Sequence, residues 1–316
     1  MLSFLNALPG AVSQGLIWGI MAIGVYITYK LLDIADLTVD GSFCTGAAVF
    51  VMLFTGGVPL PAAMLAAVLA GMAAGLVTGL LHTFCGIPAI LAGILTQLGL
   101  WSANLAIMGM KSTVAINVTT NEMLDKLLVS LRFVQDVAKG TRPFYRHPVL
   151  VVGVFTLALI GVLYWFFGTE LGASLRATGS NPSMARAQGI NTDFTKVLGL
   201  MISNGLVALS GALLAQFNSA SEINMGRGAI VIGLAAVIIG QVLFGKIFHN
   251  FGLKMLSVSI GAILYYIVIQ AVLAMGLNAN YLKLLSAVVV AVFLSIPYWK
   301  GRYFHARVKT GGTQHA

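Results

Sequence analysis

Three carboxylates, Asp33, Asp36 and Asp40, fall in the stretch Leu31-Leu-Asp-Ile-Ala-Asp-Leu-Thr-Val-Asp-Gly-Ser42, directly ahead of an apolar run from Phe43 to Phe54. A carboxylate at membrane depth is costly and marks substrate, ion or proton handling by default. Two readings are open for Asp36 and Asp40. They bind a substrate amine or gate a path, or they sit at headgroup level and cap the helix that follows. Asp33, close to Lys30, fits the second. The amides Gln97, Asn104, Asn204 and Gln216 lie in apolar runs. An unpaired buried amide is expensive, so these side chains line a translocation path or bond between helices. The expected path lining is Asp36, Asp40, Ser42, Gln97, Asn104 and Asn204. No nucleophile–base pair is spaced for catalysis. Cys44 and Cys85 lie in apolar segments without zinc-site spacing and imply no disulfide. His82 stands at a helix end without metal partners. Neither catalysis nor metal binding is expected of this chain.

A second chemistry, docking, is written in Arg176-Ala-Thr-Gly-Ser-Asn-Pro-Ser-Met-Ala-Arg-Ala-Gln-Gly-Ile190, a polar passage between two long apolar halves. Asn181 is a good N-cap, Pro182 suits the first helical position, and Gly189 suits the left-handed residue past the end. The spacing predicts a helix over Pro182–Gln188, roughly 10 Å long at 1.5 Å per residue. A helix this short is marginal alone in water, so another body must pack against it. Arg176 and Arg186 can meet acidic residues on that body or serve as ordinary positive charge in a cytoplasmic loop. Gly179, Asn181 and Gly189 shape the loop.

The elements that position these residues follow from composition. The chain has 316 residues, 59% hydrophobic and 9% charged, against about 25% charged in an average soluble domain. No Asp, Glu, Lys or Arg occurs in Met1–Tyr29 or in Gly41–Met110. A spanning helix needs about 20 mostly apolar residues, and such continuous runs exclude alternating barrel strands. The expected fold is therefore all-α: a polytopic transmembrane bundle of about nine spans, in one transmembrane domain over residues 1–299. The spans fall at Ala11–Tyr29, Phe43–Phe54 (short and broken or re-entrant), Leu60–Thr83, Ala89–Gly109, Val149–Phe167, Phe194–Phe217, Ala229–Phe244, Leu253–Met275 and Tyr281–Trp299. The first is read as a retained helix, since its start lacks a basic region. Between residues 110 and 147, apolar positions from Met123 to Val137 recur every three or four residues, predicting an amphipathic interfacial helix capped by Asn121. Residues 300–316 form a basic tail.

A net charge of +9 would point to nucleic acid in a soluble protein. Here the basic residues sit in short loops and the tail, as the positive-inside rule requires, and no nucleic-acid partner is expected. Nine spans place Lys30, Arg176, Arg186, Lys196, Lys246, Lys254, Lys300, Arg302, Arg307 and Lys309 on one side. That side is read as cytoplasmic, with residues 170–193 as a cytoplasmic loop and 110–147 outside. Glu222 and Arg227 then lie at the outer surface, where they can meet a partner outside the membrane or each other. Asp36-Leu-Thr-Val-Asp-Gly-Ser42 and Glu222-Ile-Asn-Met-Gly-Arg-Gly228 share a pattern and each opens an apolar helix, a candidate inverted repeat. Gly71, Gly75 and Gly79 line one face of a span and allow close backbone approach.

The passage Arg176–Asn191 is similar to the cytoplasmic loop of ABC importer permeases of the branched-chain amino acid and ribose type. Ser203-Asn-Gly-Leu-Val-Ala-Leu-Ser-Gly-Ala-Leu-Leu-Ala-Gln216, Met225-Gly-Arg-Gly228 and Ala235-Ala-Val-Ile-Ile-Gly240 resemble the segments that follow it. Residues 36–42 resemble an Asp-Leu-Ser-Val-Gly-Ser element of sugar permeases, departing from it by inserting Asp40. The resemblance covers about 15–109 and 149–296 and is closest to the tryptophan/tyrosine-type subgroup. It implies a permease that dimerises in a bacterial plasma membrane, receives a small polar solute from an extracytoplasmic binding lipoprotein, and docks cytoplasmic ATPases. It implies that Arg176, Gly179, Asn181, Pro182, Ala185, Arg186 and Gly189 form the ATPase-coupling site. No Gly-x-x-x-x-Gly-Lys-Ser/Thr motif occurs here, so ATP–Mg is expected in the partner subunit and no cofactor in this chain. The rival is an ion-gradient-driven secondary transporter, which calls for paired intramembrane charges.

Overall fold

The computed structural model describes residues 2–116, 125–138, 143–245, 247–248, 250–275, 284, 286–293 and 295. Helix α1 spans Leu2–Tyr26 and closes in a π-helical turn, Ile27–Leu31. Then come α2 (Val39–Thr55), α3 (Leu60–Thr83) and α4 (Ala89–Ile107). A three-residue strand β1 (Thr113–Ala115) and a helix α5 (Leu131–Ala138) lead to α6 (Pro148–Gly168). Next are α7 (Glu170–Ser180), α8 (Pro182–Ala187) and α9 (Thr192–Asn218). Strand β2 (Ala220–Glu222) precedes α10 (Ala229–Phe244) and α11 (Phe251–Ala274).

Among the described residues, six helices are long and apolar enough to cross a membrane: α1 with its π turn, α3, α4, α6, α9 and α11. Helices α2 and α10 are apolar but shorter. Of the expected span 281–299, residues 284, 286–293 and 295 are described; Asn121 and the tail lie outside the described residues. The expected span at Phe43 begins earlier, at Val39, because Asp36 accepts the Thr38 amide at 2.9 Å and fixes the turn ahead of it. The amphipathic helix expected from Met123 is described only over Leu131–Ala138. Ahead of it, Leu127 and Val129 are buried in the main core, and the Leu128 amide donates to Gln216 Oε1 at 3.2 Å. The segment is pinned to the bundle by a side chain remote in sequence, which its periodicity could not show.

Hydrophobic association is weak in lipid, so close backbone packing must hold the bundle. Helix α3 lies along α9: a Cβ at Gly71 or Gly75 would strike the Asn204 or Leu200 carbonyl oxygen, and one at Gly79 would come 3.0 Å from Val197 Cα. Reciprocally α11 lies along α1, where a Cβ at Gly15 would fall 2.7 Å from Ile263 Cα. Each long central helix, α1 and α9, is thus clasped by a helix from the other half. The two similar stretches each open a short helix, α2 and α10, and they meet, since a Cβ at Gly226 would strike the Asp40 carbonyl oxygen. Strands β1 and β2 pair antiparallel, Thr113 opposite Glu222. This pairing lies at the end of α9 away from α8. The 27 residues of α9 separate the two ends by about 40 Å.

Candidate functional site

Helix α8 is fixed at both ends by its own sequence. The Asn181 side chain accepts the Met184 amide at 3.0 Å, and Pro182 occupies the first turn. At the far end the Ile190 amide reaches the Ala185 carbonyl at 3.0 Å and the Gly189 amide reaches Arg186 at 2.9 Å. This is a Schellman closure, and it needs the left-handed backbone that Gly189 supplies at φ +82°. Asn191 then caps α9, accepting from Asp193 and Phe194 at 3.1 Å each. The helix ends at Ala187, one residue short of expectation, with Gln188 as its C-cap.

The mount beneath α8 is equally tight. Helix α7 carries buried Leu175 and Thr178, and Thr178 shares a 2.9 Å hydroxyl bond with Thr195 of α9. Gly179 sits on the backbone of the π turn, where a Cβ would overlap the Leu31 carbonyl oxygen. Arg186 donates to Thr192 at 2.6 Å and pairs with Asp193 at 3.2 Å. Its guanidinium therefore braces α8 against α9. Of α8 only Ala185 is buried, while Met184 is 62% exposed. Arg176 stands 5.9 Å from the Phe251 ring. The expected docking residues thus form one rigid projection at one end of the bundle.

The expected path residues separate into two groups. Asp36, Ser42 and Asn204 are buried and bonded together. The Asn204 amide donates to Asp36 Oδ2 at 2.7 Å and to the Leu200 carbonyl at 3.0 Å, and its oxygen accepts from Ser42 at 2.5 Å. Asn204 lies near the middle of α9, so this knot sits at mid-height. Thr38, Thr78 and Thr96 continue it as a chain of hydroxyls at 2.7 and 2.9 Å, tying α2 to α3 and α4. Asp40, Gln97 and Asn104 line a cavity of about 190 Å³ with Trp101 and Arg227. Asp33 is exposed in a left-handed turn, φ +54°.

Asp40 does cap a helix, but not its own. Its carboxylate accepts the Gly228 amide at 2.9 Å and the Ile230 amide at 3.0 Å, closing the N-terminus of α10, whose own N-cap, Gly228, has no side chain. Two helix N-termini converge on this acid, and both favour negative charge there. Glu222 lies in β2, exposed, and Arg227 is exposed on the segment between β2 and α10. Asp40→Ala is expected to lower stability by about 1–2 kcal/mol, the usual worth of an N-cap, and to raise amide exchange at Gly228–Ile230 while leaving the α8 amides unchanged. Hydrogen exchange read by mass spectrometry checks this.

The comparisons with known proteins bear on this arrangement as a whole. Residues 8–295 match the model of the branched-chain amino acid transport system permease component. The chain belongs to that permease family. It is 38% identical over 291 residues to the tyrosine transport system permease protein of Clostridioides difficile, covering 92% of this chain and 91% of the relative. It is 25% identical over 224 residues to the autoinducer 2 import system permease protein LsrC of Salmonella typhi, 71% of this chain and 59% of the relative. In fold the permease resembles PsaBC from Streptococcus pneumoniae, solved with a Fab (TM-score 0.54, 17% identity, 96% and 99% of the two chains). It also resembles an inward-facing ABC transporter of metal-chelate type (TM-score 0.53, 15% identity, 93% and 85%). The permease is thus an all-α membrane subunit of the ABC transporter class.

Sequence reading missed α7, the β1–β2 pairing and the role of Thr38, Thr78 and Thr96.

Proposed function

We propose that this permease imports an amino acid, tyrosine being the favoured substrate, as the membrane subunit of an ABC importer in a bacterial plasma membrane. Two copies would form the path between them, two cytoplasmic ATPase subunits would bind ATP–Mg, and an extracytoplasmic binding protein would deliver the solute. The observation that carries this reading is α8, a capped two-turn helix at one end of the bundle with Met184 exposed. The 38% identical relative named for tyrosine transport supports the substrate. In this reading α8, the tail and residues 170–193 face the cytoplasm, and Glu222 and Arg227 face the binding protein.

The mount suggests how a push on α8 travels. Helix α7 bears on Leu31, and Leu32 packs with Leu175 in one core. The same strand of chain continues to Asp36 and Asp40, which hold α9 and α10. Displacement of α8 therefore shifts the beginnings of both short helices, where the cavity lined by Asp40 and Arg227 lies. An ion-gradient mechanism would need charge pairs in the membrane. Asp36 and Asp40 instead bond an amide side chain and backbone amides, which favours the ATP-driven reading.

Met184→Glu is expected to cut ATP-driven tyrosine uptake in proteoliposomes by at least about tenfold, equivalent to about 1.4 kcal/mol of coupling, with unchanged thermal stability. Uptake at the native rate would refute the docking role of α8.

A further inference from the structure

Arg227 also lines a second, larger space of about 550 Å³. Trp18 of α1, Tyr265, Tyr266 and Ile269 of α11, Val231 and Ile232 of α10, and Ser286 line it together with Asn224 and Arg227. We propose that this cavity is a selective transit site that holds an aromatic amino acid, with the carboxylate on Arg227 and the ring among Trp18, Tyr265 and Tyr266. The proposal rests on the importer reading above and adds a place in this chain where substrate is chosen.

Four observations carry it. The volume lies in the range of small-ligand sites, which combine a mostly apolar wall with a few polar groups. The aromatic wall is pre-formed: Trp18 stacks on Phe43 at 4.8 Å and meets Tyr266 at 5.8 Å, while Tyr265 is bonded to Ser286. Trp18 is buried, and its indole Nε1–H has no hydrogen-bond partner. A buried donor left without an acceptor needs an explanation, and this one belongs to a residue that lines the cavity. Finally, Arg227 makes no ion pair among the described residues although Asp40 shares the smaller cavity with it, because Asp40 is already engaged by the amides of α10. Its fork remains available for a carboxylate, which it can hold through two parallel bonds. Arg227 borders both spaces.

Binding of labelled L-tyrosine to the purified permease in lipid nanodiscs tests this, with L-tyrosine amide and L-leucine as competitors and cellular tyrosine uptake measured in parallel. L-tyrosine amide, which lacks the carboxylate, and L-leucine, which lacks the ring, are each expected to compete at least tenfold more weakly than L-tyrosine. Arg227→Gln is expected to weaken tyrosine binding by the same factor and to erase the preference over the amide, and Arg227→Lys to restore part of it. Uptake by the wild type with nanodisc binding that is absent, or indifferent to the carboxylate and to Arg227, overturns the cavity and leaves the importer standing. A wild type that imports no tyrosine overturns the importer reading itself.

Discussion

Gly179→Ala is expected to be among the most damaging single-methyl changes in the chain. The added carbon would overlap the Leu31 carbonyl oxygen and lie 2.6 Å from its carbonyl carbon and 2.9 Å from Leu32 Cα. All three are backbone atoms, so no rotamer change relieves the contact. Overpacking a core commonly costs about 1–3 kcal/mol, occasionally more, and the rigid partners here place this case at about 3 kcal/mol or above. The π turn or α7 must move, and α8 moves with it, so uptake falls along with thermal stability. Gly161→Ala on α6 is the control. Nothing stands within 4 Å of its Cβ, and its replacement is expected to be neutral or to stabilise the helix by about 0.5–1 kcal/mol. Thermal unfolding of both variants in detergent checks the pair.

Asn204→Leu attacks the other hinge of the account. It strips Asp36 Oδ2 of its side-chain donor and Ser42 of its acceptor at mid-height in the bundle. An unsatisfied buried group costs about 1–3 kcal/mol, more when charged, so a loss of about 3 kcal/mol is expected. Asp36→Leu alone should cost a similar amount. The double variant should cost clearly less than the sum, because neither Asp36 nor Asn204 is then left facing a missing partner, and only Ser42 and the Thr38 amide still lose an acceptor. Additive losses in that cycle would mean the two side chains are not coupled.

What the sequence made legible was local. Asn181, Pro182 and Gly189 act within a few residues of themselves, so their types alone announce the ends of α8. The glycine stripe of α3 likewise announces close packing, though not that α9 is the neighbour. Contacts made across the chain stayed hidden. Asp40 could be read as a cap, but the helix it closes begins nearly two hundred positions later. Helix α7 went unread because Gly172, Thr178 and Gly179 are poor helix formers; the burial of Leu175 and Thr178 against neighbouring elements overrides that preference. Arg186 was read as a contact for an ATPase or as loop charge, and its bonds to Thr192 and Asp193 add a brace that depends on how α8 folds back on α9. The path residues were chosen for polarity alone, which could not tell the closed knot of Asp36, Ser42 and Asn204 from the cavity edge formed by Asp40, Gln97 and Asn104.

The central claim is that α8 seats in an ATPase on the cytoplasmic face. Its most direct test places a single cysteine at the exposed tip, Met184→Cys, with exposed Cys85 replaced by serine; Cys44, buried within the bundle, stays. In intact cells the account predicts no labelling by a membrane-impermeant maleimide. In inverted vesicles it predicts labelling that a co-expressed ATPase blocks. Labelling of intact cells, or labelling of inverted vesicles that the ATPase leaves untouched, would contradict it.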